Sequence, residues 1–268
     1  MTGVLAIGAK ARTALEASGR EARPLAAFPD APYFQAGREI VWVGSRLPAM
    51  HPRAVVTAEP VARGVIARFG ALPDATWSPA LPPNGREVAA GCRRLRADLS
   101  SFGVPRGFGA LLAGELPPFP LDLAVARVHG LASAYRDGDP PAVYQASRAL
   151  LGLGGGLTPS GDDLVGGALF GRILVAADAA PWRAIGERLA ADAQHASHAI
   201  SAALLADLVA GASFAPLHAL ADALAARDAA AANEAARALV ALGHSSGWDM
   251  LVGLVLGVTG AMTDEGGR

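Results

Sequence analysis

Two short segments of the chain, Gly152–Asp163 and Gly243–Asp249, combine residue types that can bind and act on a small anion. Each segment places glycines and hydroxyl side chains at the predicted start of a helix. A helix that begins after a glycine-rich loop offers backbone N–H groups and the positive end of its dipole to a phosphate or carboxylate. The candidate binding residues are Gly154, Gly155, Gly156, Thr158, Ser160, Gly161, His244, Ser245, Ser246 and Gly247.

Three acids complete the two segments: Asp162, Asp163 and Asp249. They are the candidate catalytic residues, either as a general base or as metal ligands. Together with the neighbouring hydroxyl groups they would suit Mg²⁺, which prefers hard oxygen ligands and often bridges phosphates. The residue types do not distinguish which aspartate would act as the base.

The same residues also have a purely structural interpretation. In each segment a serine lies three residues before an aspartate, the spacing of a capping box in which the side chains satisfy backbone donors. Thr158 would likewise cap a helix that begins at Pro159. Capping requires neither three successive glycines nor the extra acid Asp162, so the pair of segments favours a shared site. The first segment is not a P-loop, since no Gly-Lys-Ser/Thr follows, and a preceding helical pattern makes it a poor dinucleotide fingerprint.

The two segments form an internal repeat in which Asp163 and Asp249 lie 86 residues apart. In both copies Ser-Gly-x-Asp is followed by glycines four and eight residues after the aspartate: Gly167 and Gly171, then Gly253 and Gly257. A glycine inside a helix costs about 1 kcal/mol relative to alanine. Matched glycines therefore predict that the two helices cross at these positions. Their N-terminal ends would then face one site, although the glycine spacing alone does not determine the relative direction of the helices.

The surrounding patterns predict an α+β protein with a small β-rich N-terminal domain, residues 1–84, and a mainly helical domain, residues 85–268, that carries both motifs. Residues 39–43, 53–57 and 61–69 have the short alternating pattern of strands, separated by Pro and Gly as in an antiparallel sheet. Strands do not alternate with helices, which argues against a doubly wound sheet. Helical spacing predicts helices over 86–101, 121–136, 141–151, 159–177, 182–210, 215–226, 229–242 and 246–262.

Composition restricts the functional class. Hydrophobic residues make up 52% of the chain and the net charge is −1, which excludes a disordered chain and gives no electrostatic attraction to nucleic acid or to an anionic membrane. The apolar run Met250–Met262 is shorter than the roughly 17–25 residues that cross a bilayer. A single cysteine, Cys92, suits a reducing compartment, and the first residues lack a signal-peptide pattern. We expect a soluble, cytoplasmic protein without nucleic-acid or membrane partners.

The motifs at Gly152–Gly166 and Gly243–Gly253 resemble the oxamate carbamoyltransferase AllH-like subunit family, long catalogued as a domain of unknown function. The resemblance follows the chain in order, from a β-rich start with a Pro-Arg strand at Pro52-Arg53, through helices, to both motifs. It implies one subunit of a multi-protein enzyme of anaerobic purine (allantoin) breakdown, which splits oxalurate with phosphate to give oxamate and carbamoyl phosphate. The implied partners are an acyl-CoA-synthetase-like protein and a second uncharacterised subunit.

Two hypotheses about function follow. In the first, the chain binds a small anionic substrate (oxalurate or oxamate, phosphate or carbamoyl phosphate) at the paired helix N-termini, and its aspartates are catalytic. In the second, it is a non-catalytic scaffold or regulatory subunit of a complex that metabolises ureido or amide compounds, and the paired turns only make the helical core rigid.

Overall fold

The computed structural model describes residues 1–26, 33–62, 64–82, 85–95 and 101–261. The predicted α+β class is confirmed, with strands near the N-terminus and helices beyond. The chain divides into two compact units, residues 1–80 with 212–215, and residues 81–211 with 216–268. The assignment of residues 1–84 and 85–268 to separate domains stays a prediction.

The first unit is a six-stranded sheet with one helix. Its elements are β1 (Val4–Ile7), α1 (Ala9–Ala17), β2 (Glu21–Ala26), β3 (Tyr33–Ala36), β4 (Glu39–Gly44), β5 (Ala54–Thr57) and β6 (Ala67–Arg68). The strand order is β1-β5-β4-β3-β2-β6. Apolar residues of α1, such as Leu15, form one core with Ile7, Phe34 and Val41 of the sheet.

Two expectations about this unit are wrong, and four of its elements were not predicted. The sheet is mixed rather than antiparallel, because β4 and β5 run parallel; alternation shows that a strand is half-buried but not which way its neighbour runs. Of the predicted strand 61–69 only β6 forms, and residue 63 lies outside the described residues. The elements β1 to β3 and α1 were not anticipated, because short runs interrupted by Gly, Pro and Arg give little periodicity.

The second unit contains the helices of the chain's C-terminal part. They are α2 (Gly85–Leu95), α3 (Val125–Asp137), α4 (Pro140–Arg148), α5 (Ser160–Val175), α6 (Ala180–Ala196), α7 (Ala199–Val209), α8 (Ala215–Ala226), α9 (Ala229–Val240) and α10 (Ser246–Thr259). Two 3₁₀ segments, Gly107–Ala113 and Leu121–Ala124, lie between α2 and α3. The ends of two predicted helices, residues 96–100 and 262, lie outside the described residues. Among the described helices, none has the length and apolarity needed to cross a membrane.

The predicted helix 182–210 is in fact two helices. Ser197 is extended, and His198 caps α7 by accepting a hydrogen bond from the N–H of Ile200 on its Nδ1 at 3.3 Å. Histidine is not among the residues that usually mark a helix start. The break was therefore not recognised, because the apolar residues keep their helical spacing on both sides of it.

The helices α5 and α10 form the most extensive helix pair among the described residues. They are parallel, since Gly167 lies against Met250 and Gly171 against Leu254. A Cβ atom added at Gly167 would lie 2.5 Å from the Met250 carbonyl oxygen, and one added at Gly171 would lie 2.8 Å from that of Leu254. Gly253 and Gly257 meet the backbone of Leu164 and Ala168 in the same way. The predicted crossing at the four glycines is confirmed.

The structural repeat extends beyond the two turns, to α3-α4-α5 and α8-α9-α10. Gly138 and Arg227, 89 residues apart, both adopt left-handed backbone conformations, with φ of 68° and 61°. Asp139 and Asp228 follow them and cap α4 and α9 through equivalent hydrogen bonds. The same order of helices, with an equivalent cap before the second helix, therefore leads to both turns, and the third helices pair.

Replacing Gly257 by alanine tests the close packing of α5 and α10. The added methyl group would overlap the backbone of Ala168, so we expect Gly257→Ala to lower the free energy of unfolding by about 1–3 kcal/mol or more. Gly130 in α3 is the matched control: its added Cβ meets nothing within 4 Å, and Gly130→Ala should gain up to about 1 kcal/mol of helix propensity. Chemical denaturation of both variants measures the difference. Equal stability of the two would contradict the packing.

Candidate functional site

The N-terminal ends of α5 and α10 lie side by side and are joined by hydroxyl groups. The Oγ1 of Thr158 and the Oγ of Ser246 lie 3.0 Å apart, and the Oγ atoms of Ser160 and Ser245 lie 3.2 Å apart. Each hydrogen-bonded pair takes one residue from each turn. Four of the predicted binding residues therefore meet at one place.

Two of the predicted acids lie beside these hydroxyl groups in the protein interior. Asp163 and Asp249 are 5% and 0% exposed. The Oδ1 of Asp249 accepts a hydrogen bond from the backbone N–H of Phe108 at 2.7 Å. The Oδ2 atoms of Asp163 and Asp249 are buried without a hydrogen-bond partner among the described residues. Because most buried polar atoms are satisfied, two orphaned carboxyl oxygens at paired helix N-termini make this place the candidate site.

Burial raises the pKa of both acids. It raises the pKa of Asp249 to about 7, although the Phe108 N–H and the hydroxyl groups of Ser160 and Ser245 favour the ionised form. Burial raises the pKa of Asp163 well above its ordinary value, and the charges of Asp249 and Asp162 raise it further, while the Ser246 hydroxyl lowers it. Both carboxyl groups therefore release their protons at a higher pH than an ordinary aspartate does.

Both helices begin one residue earlier than capping boxes would require. In a capping box Ser160 and Ser246 would be the N-cap residues. The N-cap residues are Pro159 and Ser245, and neither helix has a side-chain cap. Thr158 bonds to Ser246 of the opposite turn rather than capping α5. The structural interpretation of the motif as two capping boxes is wrong, because each serine is the first helical residue and its hydroxyl group points to the other turn.

Gly161 and Gly247 fix their turns against the preceding helices. Cβ atoms added at these glycines would overlap the carbonyl oxygens of Leu150 and Leu239. The Gly161 N–H donates to the Leu153 carbonyl at 2.9 Å, and the Gly247 N–H donates to that of Leu242 at 3.1 Å. The N–H groups of these two glycines are thus used within the protein, and their place in the motif has a packing reason.

Asp162 lies next to Asp163 but has a different environment. Its Oδ1 accepts the N–H of Gly152 at 2.8 Å, and its Oδ2 accepts the hydroxyl groups of Ser197 and of Ser201, the latter at 2.6 Å. These bonds join the start of the glycine-rich loop to the break between α6 and α7. Asp162 therefore anchors the loop, and its role as catalyst or metal ligand stays a prediction.

The exposed rim of the site consists of the glycine-rich loop and His244. Gly154 and Gly156 have φ of +115° and +86°, conformations that favour glycine. Cβ atoms added at Gly155 or Gly156 would meet nothing within 4 Å, so the loop leaves space on this side. His244 is exposed, and its carbonyl oxygen accepts a hydrogen bond from Arg106 Nη1 at 3.3 Å.

Residues 106–109 belong to the site but were not identified from the sequence. Gly107 has φ +56°, and an added Cβ would collide with the carboxyl group of Asp249. Gly109 lies against the ring of Trp248 in the same way. The Gly-Phe-Gly at 107–109 was the available signal, since closely spaced glycines often mark a close backbone approach.

The Mg²⁺ prediction remains untested by the geometry. Within the described parts of the chain, no group of three or more His, Cys, Asp and Glu side chains is arranged to hold a metal ion. An ion beside Asp163 and Asp249 would need further oxygen ligands, such as hydroxyl groups, water or a substrate.

Part of the chain matches a known protein family. Residues 150–258 match the family model described as oxamate carbamoyltransferase subunit AllH. The resemblance inferred from the two motifs is confirmed over this segment, which contains both turns. No curated protein and no solved structure matches the chain significantly.

The raised pKa of Asp249 predicts a pH-dependent stability. A carboxyl group whose pKa is raised on folding contributes fully to stability below about pH 4, the ordinary value, and loses that contribution as the pH rises towards 7. Asp249→Asn is neutral and can still accept the Phe108 N–H. At pH 8 we expect it to be more stable than the wild type by up to a few kcal/mol, at about 1.4 kcal/mol per pKa unit, and at pH 4 to match it.

Denaturation of the two proteins between pH 4 and pH 8 measures this effect. Asp249→Ala is the control, because it leaves the Phe108 N–H without its acceptor and should lose stability at both ends of the range. An Asp249→Asn variant with the wild-type pH dependence would show that Asp249 titrates normally.

Proposed function

We propose that this AllH-family chain is a subunit of an oxamate carbamoyltransferase complex and binds the small anionic substrate at the paired N-termini of α5 and α10. The reaction would be oxalurate with phosphate to oxamate and carbamoyl phosphate, within purine (allantoin) breakdown. The observation that carries the proposal is the pair of buried carboxyl groups, Asp163 and Asp249, each with an oxygen that has no partner among the described residues.

The electrostatics of the turns support binding of an anion. Two parallel helices bring two positive dipole ends together, each equivalent to about half an elementary charge. A protonated carboxyl group carries no charge and donates a hydrogen bond, so Asp163 and Asp249 do not repel an anion while they hold their protons. The hydroxyl groups of Thr158, Ser245 and Ser246 are half-buried, between the exposed rim and the acids, and add further donors.

The proposed chemistry also needs a group that exchanges protons near neutral pH. A phosphate oxygen forms a bond to the carbamoyl carbon, the bond from that carbon to the oxamate nitrogen breaks, and the nitrogen takes up the proton that phosphate gives up. A carboxyl group with a pKa of about 7, as in Asp249, suits the transfer of this proton. Asp163 lies close enough to Asp249 for the charge of one to affect the other, so the two form a coupled pair.

The alternative is a scaffold or regulatory subunit, and one observation favours it. Asp249 is completely buried, with the backbone of Gly107 against its carboxyl group. In that case the acids would serve the assembly of the complex, and another subunit would carry out the chemistry.

Substitution of the acids distinguishes the two functions. We expect Asp163→Asn and Asp249→Asn each to lower the activity of the reconstituted complex by about 10²–10⁴-fold, the usual effect of losing a general acid or base. Their melting temperatures should not fall, because a neutral amide at a buried position avoids the cost of burying a charge. Asp162→Asn is the contrasting variant: it should melt earlier, because its carboxylate accepts three hydrogen bonds. Full activity of both Asp163→Asn and Asp249→Asn would favour the scaffold.

Ligand binding gives a test that does not depend on activity. Oxamate or inorganic phosphate should raise the melting temperature of the wild-type chain by mass action, with about 2.7 kcal/mol of stabilisation at a ligand concentration of 100 times Kd. Adding Mg²⁺ with phosphate tests the metal prediction in the same assay. If no ligand changes the melting temperature of the chain or of the reconstituted complex, the substrate does not bind at these turns.

A further inference from the structure

Arg106 lies at the exposed rim of the site and is held there by two connections. Its Nη1 donates a hydrogen bond to the carbonyl oxygen of His244 at 3.3 Å. His244 immediately precedes Ser245, the N-cap residue of α10. The residue after Arg106 is Gly107, whose backbone packs against the carboxyl group of Asp249. Arg106 is therefore connected to the α10 turn by its guanidinium group and by the backbone of the residue that follows it.

This position makes the two halves of the site different. The α5 half is bordered by Gly155 and Gly156, which have no side chains and open space beside their Cα atoms. The α10 half is bordered by Arg106, a permanent cation. A ligand with one charged and one neutral end would then have a preferred orientation.

We infer that Arg106 binds the carboxylate of the substrate and so determines its orientation between the two turns. The inference rests on the proposed function, because it assumes that a small carboxylate occupies this site. Arg106 lies outside the segment matched by the family model, and its role is argued only from its contacts in this chain.

The chemistry of the side chain suits this role. A guanidinium group has five N–H donors in a planar fork, so one bond to the His244 carbonyl is compatible with a paired contact to a carboxylate. Its charge would also attract an anion to the rim of the site. Lysine would keep the charge but lose the two parallel hydrogen bonds.

The test compares oxamate with oxamide, in which a neutral amide replaces the carboxylate. Isothermal titration calorimetry on the full chain and on the reconstituted complex would give Kd for both ligands with the wild type, Arg106→Met and Arg106→Lys. We expect Arg106→Met to weaken oxamate binding by roughly ten- to a hundredfold, the usual effect of losing a hydrogen bond to a charged group. Its binding of oxamide should change by less than about threefold, and Arg106→Lys should lie between the wild type and Arg106→Met for oxamate.

Arg127→Met is the matched control. Arg127 is also exposed and also donates one hydrogen bond to a carbonyl oxygen, that of Ala149 at 3.1 Å. This variant should bind oxamate like the wild type. Both arginines are exposed, so thermal melting should show folded variants.

The outcomes separate the inference from the proposed function. If Arg106→Met binds oxamate like the wild type, or loses oxamate and oxamide equally, the orienting role is wrong. If Asp163→Asn or Asp249→Asn weakens oxamate binding in the same experiment, the proposed site remains. If the wild type binds neither oxamate nor phosphate in either preparation, both ideas are wrong.

Discussion

The contact between the backbones of α5 and α10 is the constraint on which the rest of the site depends. Only glycine allows it, because at Gly167, Gly171, Gly253 and Gly257 any larger residue would meet the backbone of the other helix. The contact is parallel, so it brings two positive helix ends together, which is electrostatically unfavourable without an anion or acids nearby. The hydroxyl pairs and the coupled carboxyl groups are possible only at this separation.

The adjacent acids Asp162 and Asp163 have different environments because they lie on different faces of α5. Successive residues of a helix point about 100° apart, so one carboxyl group faces α7 and the other faces α10. The carboxylate of Asp162 accepts three hydrogen bonds, so both of its oxygens have partners within the protein. Asp163 keeps a buried oxygen without a partner. A buried polar atom without a hydrogen-bond partner lowers the free energy of unfolding. Proteins keep such atoms mainly at functional sites.

The sequence predicted the features encoded within a few residues of each other, and the repeated motif also revealed one contact between distant segments. The glycine spacing was enough to place the α5–α10 crossing, and the helix boundaries near Pro159 and Ser246 were almost right. The contact of Phe108 with Asp249 could not be predicted, because it joins residues 141 positions apart. The capping boxes were misassigned for a related reason: the hydroxyl groups of Thr158 and Ser160 bond across the helix pair, and local spacing contains no information about such partners.

The repeated Ser-Gly-x-Asp motif gives the site two similar halves, and one pair of equivalent positions shows how they differ. Asp162 and Trp248 occupy the same place, two residues after the first serine of each helix. Asp162 holds its turn against the polar break at Ser197 and Ser201, whereas Trp248 packs on Gly109 of the 3₁₀ segment 107–113. The contact of Trp248 with Gly109 places residues 106–108 beside Asp249. The presence of tryptophan at the position equivalent to Asp162 therefore gives the two halves of the site different surroundings.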